Sequence, residues 1–228
     1  MTILRALTIL LLLGSSALAQ AVADWDFAGE SHDIKVWTRT IPGAPLKDFR
    51  GVMDVDMPLA AVIAAVSDVP TYPEWFFQMR EARIVSGGSM DSVRVYFVIA
   101  GIWPVSDRDA VIKASVVQDP ATLAVHMLAD AEPGFLQKVA GRVRMPAMHS
   151  GWTLTPLSPT RTRVELIGNA DPGGWIPLWL ANSVVTMMPK ETLKRLRVQM
   201  QAAKYRDAEA LFARDPLLRD LRAHIRLP

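Results

Sequence analysis

Apolar and polar positions alternate through the middle of the chain, and this pattern predicts a protein rich in β-strands. Strands are expected at about 32–41, 46–55, 79–86, 91–100, 107–117, 121–129, 141–155 and 160–170. In the last of these, apolar or small residues fall on one face, whereas Arg161, Arg163 and Glu165 fall on the other. One dry face and one wet face are typical of an antiparallel sheet that is covered on one side.

Helical spacing is found before, within and after these strands. Helices are expected at about 24–31, 59–66, 176–203 and 211–225, and residues 72–75 are expected to form a tight turn or a single helical turn. The helix at 176–203 is long and apolar, and Pro189 inside it should kink or restart the helix because proline removes a backbone hydrogen bond. The pattern therefore predicts an α+β fold in which a curved antiparallel sheet wraps around a long C-terminal helix.

The first 19 residues have the layout of a secretory signal peptide. Arg5 precedes an apolar run from Ala6 to Leu13, and Ala17-Leu18-Ala19 is a small-residue cleavage site. An uncleaved anchor is the alternative. The sequence contains no cysteine, so the fold must rest on packing without disulfides. We expect a periplasmic or secreted protein.

The charge is unevenly distributed along the chain. Residues 20–185 contain 14 Lys/Arg against 18 Asp/Glu, whereas residues 186–228 contain 10 against 5. An acidic body with a basic tail is not the pattern of a nucleic-acid-binding protein, so no nucleic acid partner is expected. The basic tail is either a solvated helix face or a surface attracted to anionic lipid.

Four segments, in order, resemble the START (StAR-related lipid-transfer) domain. They are Trp103–Asp109, Gly151–Pro156, Asp171–Gly174 and Ile176–Asn182. The resemblance covers about residues 25–205 and suggests a secreted bacterial member. It implies a helix-grip fold with a hydrophobic tunnel, closed by the C-terminal helix, that holds one lipid, sterol or similar hydrophobe.

The chain departs from this family at one position. Some sterol-binding members carry an arginine six positions after the arginine of the Arg-Asp pair, and that position is Ala114 here. The chain therefore lacks the arginine that would support a sterol as its ligand. The domain boundaries that follow are a signal peptide at 1–19, a START-like domain at 24–205 and a helical tail at 206–228.

We expect the protein to bind a lipid or other hydrophobe, to transfer it between membranes, and not to be an enzyme. No catalytic motif is found, and His32, His126, His149 and His224 lack metal-ligand spacing, so no metal or cofactor is expected. The alternative is a cyclase or aromatase, a class of enzyme with a related helix-grip fold. An inward-facing acid, histidine or tyrosine would favour that alternative. A sensor that uses the pocket as an adaptor is a third option.

The candidate ligand-binding residues come from the apolar faces of two strands and of the long helix. They are Arg108, Ile112, Ala114, Val164, Leu166, Ile176, Leu180, Val184 and Met187. Arg108 has two interpretations, because a guanidinium on a dry face needs carboxylate or carbonyl partners. It either fixes its strand to a neighbouring segment or anchors a ligand headgroup.

Aromatic and methionine side chains complete the list of candidates. Trp175 and Trp179 flank the start of the long helix, where either core burial or transient membrane contact suits an indole. Met145, Met148, Met187, Met188 and Met200 either fill gaps or line an adaptable pocket. Met187 is the preferred pocket candidate because it falls on the apolar stripe of the long helix.

Overall fold

The computed structural model describes residues 24–87, 89 and 92–228. The predicted signal peptide at 1–19 lies outside these residues. Within the described part, ten strands form one sheet. Strands β1 to β10 are Asp26–Ser31, Ile34–Arg39, Asp48–Val55, Met79–Ser86, Arg94–Ile99, Arg108–Gln118, Val125–Ala131, Val143–Arg144, Ala147–Ser158 and Arg161–Asp171.

The strand order is β1-β2-β3-β10-β9-β7-β6-β5-β4, and neighbours along this path run antiparallel. The short strand β8 pairs in parallel with the start of β6. Helices α1 to α5 are Leu59–Ser67, Tyr72–Trp75, Leu178–Gln199, Ala208–Arg214 and Pro216–His224. A curved antiparallel sheet with a long helix near the C-terminus confirms the predicted α+β class. In the part of the chain described, no helix combines the length and apolarity needed to cross a membrane.

The predicted opening helix at 24–31 is wrong, since this segment contains strand β1. His32 and Asp33 connect β1 to β2, and both have positive φ, at 54° and 57°. Two such residues between paired strands form a tight hairpin turn, and His and Asp tolerate this backbone conformation better than most residues do. The hairpin fixes the segment as a strand.

Two further elements are broken where proline removes a hydrogen-bond donor. The strand expected at 141–155 is divided into β8 and β9 by Met145-Pro146. The helix expected at 211–225 is divided into α4 and α5 at Asp215, whose carboxylate accepts hydrogen bonds from the backbone N–H groups of Leu217 and Leu218. Asp215 is therefore the N-cap of α5, with Pro216 at its first position.

Helix α3 continues through Pro189 without ending there, so the expected restart is wrong. Pro189 is buried against β3 at Gly51. A Cβ atom added to Gly51 would lie 2.9 Å from the Pro189 Cβ and 2.8 Å from a Leu193 methyl carbon. The helix lies so close to the sheet that only glycine fits at this position.

The outer face of the sheet is not wet at the start of β6. Asp109 is fully buried and forms a salt bridge with Arg144, with both nitrogen–oxygen distances at 2.9 Å. The Tyr96 hydroxyl donates to the same carboxylate, and Arg144 also donates to three backbone carbonyls between residues 133 and 137. The connection between β7 and β8 therefore covers this part of the outer face.

The segment after residue 205 belongs to the same hydrophobic core as the sheet. Phe212, Leu218, Leu221 and Ile225 are buried together with residues of α1, α3 and the strands. The tail is therefore a structural part of the domain and covers one side of it.

Candidate functional site

An apolar cavity of about 340 Å³ lies between the inner face of the sheet and the helices. Its floor comes from β5, β6 and β7 and includes Val95, Phe97, Ile112, Ala114 and Ala129. The volume is at the lower end of the range for small-molecule sites, which are mostly apolar with a few polar groups. The cavity can therefore enclose a hydrophobic molecule of modest size.

Helices and the connections between them form the opposite wall. Tyr72 belongs to α2, and Phe76 directly follows α2. Among the described wall residues, Met188 is the one that comes from α3. Leu211 and Leu217 come from the tail helices. The wall opposite the sheet is thus built mainly by α1, α2, α4 and α5, and only slightly by α3.

Three of the predicted ligand-binding residues, Ile112, Ala114 and Leu166, lie together on the cavity wall. Alternation along β6 and β10 places them there, because every second side chain faces inward. Their role as ligand contacts stays a prediction.

The other predicted residues do not line this cavity. Val164 is buried in the main core with α1, and Arg108, Ile176, Leu180 and Val184 also lie away from the described wall. Leu180, Leu193 and Leu196 are buried along α3, but in the middle of the helix Val185 is buried in place of Val184. Met187 is 39% exposed, and Met188 takes the place on the wall that was expected for Met187.

Methionines are the most prominent flexible residues of the wall. The five on the cavity surface are Met79, Met127, Met145, Met148 and Met188. Unbranched thioether side chains adjust to guests of different shape, so this wall can accommodate more than one ligand outline. Met200, by contrast, fills the core.

The tail residues on the wall were not predicted as site residues. The amphipathic spacing of residues 211–225 predicted a helix that contains Leu211, Leu217 and Leu218. That spacing does not tell which surface the helix covers. Tyr72 belongs to the segment 72–75, which was expected only to be a tight turn or a single helical turn, and Phe76 follows that segment directly. Position in the fold, not residue type, brings these side chains to the cavity.

Arg108 is 6% exposed and is not among the described residues of the cavity wall. Its guanidinium donates hydrogen bonds to the backbone carbonyls of Ser106 and, at 3.3 Å, Trp175. Burial lowers the pKa of Arg108, against the opposing charge of Asp107. These two hydrogen bonds link the start of β6 to the segment before α3 and favour the structural one of its two interpretations, although the Nε atom is buried without a hydrogen-bond partner in the described structure.

We expect Arg108→Leu to lower the free energy of unfolding by about 1–3 kcal/mol, because two carbonyls lose their donor. Ligand affinity should stay within about twofold of wild type, since Arg108 is outside the cavity. Urea denaturation and calorimetric titration with dodecanol measure the two effects. Unchanged stability with lost binding would instead identify Arg108 as a headgroup anchor.

Polar groups are concentrated where α1 ends and the tail helices begin. Asp68 and Asp215 lie on this part of the wall together with Ser67. The Asp68 carboxylate accepts hydrogen bonds from the Lys204 ammonium at 2.6 Å and from the Tyr205 hydroxyl at 2.8 Å. Asp215 and Pro70 are exposed, so the cavity opens to solvent at this end.

Three tryptophans near the start of β6 and the start of α3 are exposed. Trp103, Trp175 and Trp179 are 89%, 71% and 63% exposed, which rules out the core interpretation of the last two. Arg108 bridges the carbonyls of Ser106 and Trp175, so the loop that carries Trp103 lies beside the segment that carries Trp175. Large indoles on neighbouring segments form an exposed apolar surface, which we call the tryptophan surface.

Comparisons with known proteins agree with this architecture. Residues 15–206 match the model of the START domain. A STAR-related lipid transfer protein from Xanthomonas axonopodis (fragment 25–204) superimposes with a TM-score of 0.72 at 30% identity, over 78% of this chain and 99% of that one. Human STARD10 superimposes with a TM-score of 0.73 at 15% identity, over 90% and 83% of the two chains.

A sequence relative extends the comparison. An uncharacterized protein of Pseudomonas aeruginosa is 32% identical over 186 residues, which are 81% of this chain and 89% of the relative. The chain belongs to the START domain family. The resemblance and the helix-grip fold expected from the four sequence segments are thereby confirmed.

Proposed function

We propose that the protein binds one lipid or similar hydrophobic molecule in the apolar cavity and carries it between membranes. The observation that carries this proposal is a START fold with a cavity whose wall is largely apolar. The Xanthomonas relative, a STAR-related lipid transfer protein by name, supports the same direction. Native mass spectrometry of the protein purified from its own envelope would identify a co-purifying hydrophobe.

The energetics suit binding without chemistry. Each buried CH₂ group contributes about 0.8 kcal/mol, so a chain of about ten methylenes provides roughly 8 kcal/mol before ordering costs. The apolar wall thus provides affinity, and a few polar groups are enough for orientation.

A large side chain that fills the cavity should greatly weaken the binding of a hydrophobic ligand. We expect Ala129→Trp to weaken dodecanol binding about a hundredfold, because an indole that displaces four methylenes removes about 3 kcal/mol of burial. Calorimetric titration measures the affinity. The matched control is Val117→Trp, since Val117 is exposed near the end of β6 and is not among the described residues of the cavity wall. Equal affinity of the two variants would contradict the proposed site.

Delivery to a membrane is assigned to the tryptophan surface. Indoles favour the interface between water and lipid because they combine a large apolar ring with one N–H donor. Basic residues of the 186–228 segment add attraction to anionic lipid.

Replacing Trp175 and Trp179 together by alanine should reduce association with phosphatidylglycerol-containing vesicles at least about tenfold, through lost interfacial burial of two rings. Vesicle co-sedimentation measures this. Val198→Ala is the control, because Val198 is exposed on the same helix, toward its other end. Vesicle association that is unaffected by the double substitution would rule out membrane contact through these residues.

We further propose that the protein acts in the periplasm or outside the cell, on the basis of the apolar leader at 1–19 and the complete lack of cysteine. A fusion of residues 1–24 to a reporter enzyme that is active only after export tests this proposal.

The enzyme alternative depends on a reactive group inside the cavity, and Tyr72 is the best candidate. Its hydroxyl donates to the Val66 carbonyl at 2.7 Å, and burial together with the charge of Asp68 raises its pKa. Asp68 is itself engaged by Lys204 and Tyr205. Both groups serve the local structure, so binding is preferred to catalysis.

A further inference from the structure

We propose that the cavity selects uncharged single-chain hydrophobes that end in a hydroxyl group and rejects lipids whose headgroup is an anion. This inference rests on the proposed function, since it names the chemical class of the bound molecule. It depends on the charges of the cavity wall, on one unpartnered hydroxyl and on the size of the cavity.

The described residues of the wall include no lysine, arginine or histidine. Arg108, the candidate headgroup anchor of the sequence analysis, is outside the described wall and donates to the carbonyls of Ser106 and Trp175. An ionised carboxylate or phosphate loses its hydration when it enters an apolar cavity, and without a cation the loss is not compensated. An anionic headgroup is therefore strongly disfavoured inside.

The charged groups found on the described wall are carboxylates, Asp68 and Asp215, at the end that opens to solvent. Lys204 lies next to Asp68, but its ammonium is held by that carboxylate at 2.6 Å. An anionic headgroup left at the opening would therefore face like charges, which disfavour it further. Neither the interior nor the opening of the cavity suits an anion.

Ser67 provides the complementary feature. Its Oγ atom is shielded from solvent, has no hydrogen-bond partner in the described structure, and belongs to a residue of the cavity wall. A buried hydroxyl without a partner is unfavourable, and it can both donate and accept one hydrogen bond. Pairing with a ligand hydroxyl requires the Ser67 side chain to turn its Oγ into the cavity, and such a bond would satisfy both groups.

The volume limits the number of chains. A cavity of about 340 Å³ is close to the smallest size found for small-molecule sites and favours one alkyl chain over the two chains of a membrane phospholipid. Charge, hydroxyl and size together point to a long-chain alcohol or a comparable monohydroxy lipid.

Calorimetric titration with dodecanol and dodecanoate tests this selection, because the two molecules differ mainly in the charge of the headgroup. At neutral pH dodecanol should bind at least about tenfold more tightly. Lowering the pH to about 5 should strengthen dodecanoate binding, since protonation removes the charge of a carboxyl group whose pKa lies a little above 4.

Two variants examine the cause. Ala114→Lys places an ammonium on the wall and should strengthen dodecanoate binding at least about tenfold, whereas the neutral control Ala114→Met should not. Ser67→Ala should weaken dodecanol binding about threefold to tenfold, and Ser183→Ala, an exposed serine of α3, should leave it unchanged.

The outcomes separate the two proposals. Dodecanoate binding to the wild-type protein as tightly as dodecanol at neutral pH would overturn the selectivity and leave the proposed hydrophobe binding intact. If neither compound binds at any pH used, the proposed function fails and the selectivity fails with it. If Ala114→Lys does not fold, the pH dependence of dodecanoate binding to the wild-type protein decides the question.

Discussion

Asp109→Asn is expected to lower the free energy of unfolding by about 3–5 kcal/mol, because it leaves the Arg144 charge buried without its partner. Both side chains of this pair are almost inaccessible to solvent, and the Tyr96 hydroxyl depends on the same carboxylate. Equilibrium denaturation in urea measures the change. The matched control is Asp54→Asn, which removes a partly exposed ion pair with Arg163 and should cost only about 1 kcal/mol or less.

Removing both charges should restore much of this stability. In Asp109→Leu/Arg144→Met neither charge is left unpaired, and apolar replacements of buried ion pairs are often neutral or stabilising. A double variant that is as unstable as the sum of the single variants would contradict a direct coupling between the two side chains.

The same pair predicts a pH dependence. Burial opposes ionisation of Asp109, but the hydrogen bonds and charge of Arg144 outweigh burial and hold the pKa of Asp109 below its usual value. A carboxylate with a lowered folded-state pKa stabilises the protein above its unfolded pKa of about 3.9, and this stabilisation is lost as the pH falls through the lower folded value. The wild-type protein should therefore lose stability in acid more steeply than Asp109→Asn does.

Deleting residues 207–228 is expected to abolish cooperative folding. Phe212, Leu218, Leu221 and Ile225 leave the core in this variant, and at about 1.5–3 kcal/mol for each side chain the loss is roughly 6–12 kcal/mol. This is comparable to the entire stability of an ordinary domain, about 5–15 kcal/mol. Circular dichroism during heating should show a broad, weak transition or none.

Two point variants support the interpretation of the deletion. Phe212→Ala should cost about 3–5 kcal/mol because it leaves a cavity in the core. Arg214→Ala changes an exposed residue of the same helix and should cost about 0.5 kcal/mol or less. A deletion variant that unfolds as cooperatively as the full chain would show that the tail is dispensable.

The order of strands and helices could largely be predicted from the sequence, because alternation and helical spacing are local properties. Strand β4 has the predicted bounds, and helices α1 and α2 fall where proline and apolar spacing placed them. The opening strand could not be predicted, because its structure depends on a hairpin turn at His32-Asp33, which the apolar pattern does not show.

The cavity residues were predictable only where the sheet determines them. Alternation along a strand fixes which side chains face inward, so Ile112 and Ala114 were found. On α3 Met188 lies on the wall in place of Met187, and the packing of the helix against the sheet is not a local property of the sequence.

Buried charges were the least predictable feature. Alternation along β6 places Asp109 on the face opposite Ile112, but the connection between β7 and β8 covers that outer face and strand β8 supplies Arg144. A strand pattern tells which face a residue occupies and not what covers that face. For the same reason the helical tail was predicted but the surface that it covers was not.

The pairing of β3 with β10 has a kinetic consequence. Met53 lies opposite Val164, so the sheet is continuous only after segments more than a hundred residues apart have met. Contacts between distant segments form slowly, because the entropy of closing a long loop is lost before the strands stabilise one another. Refolding should accordingly be slow for a chain of this size, and the two halves of the unfinished sheet expose unpaired backbone that can join other chains until the seam closes.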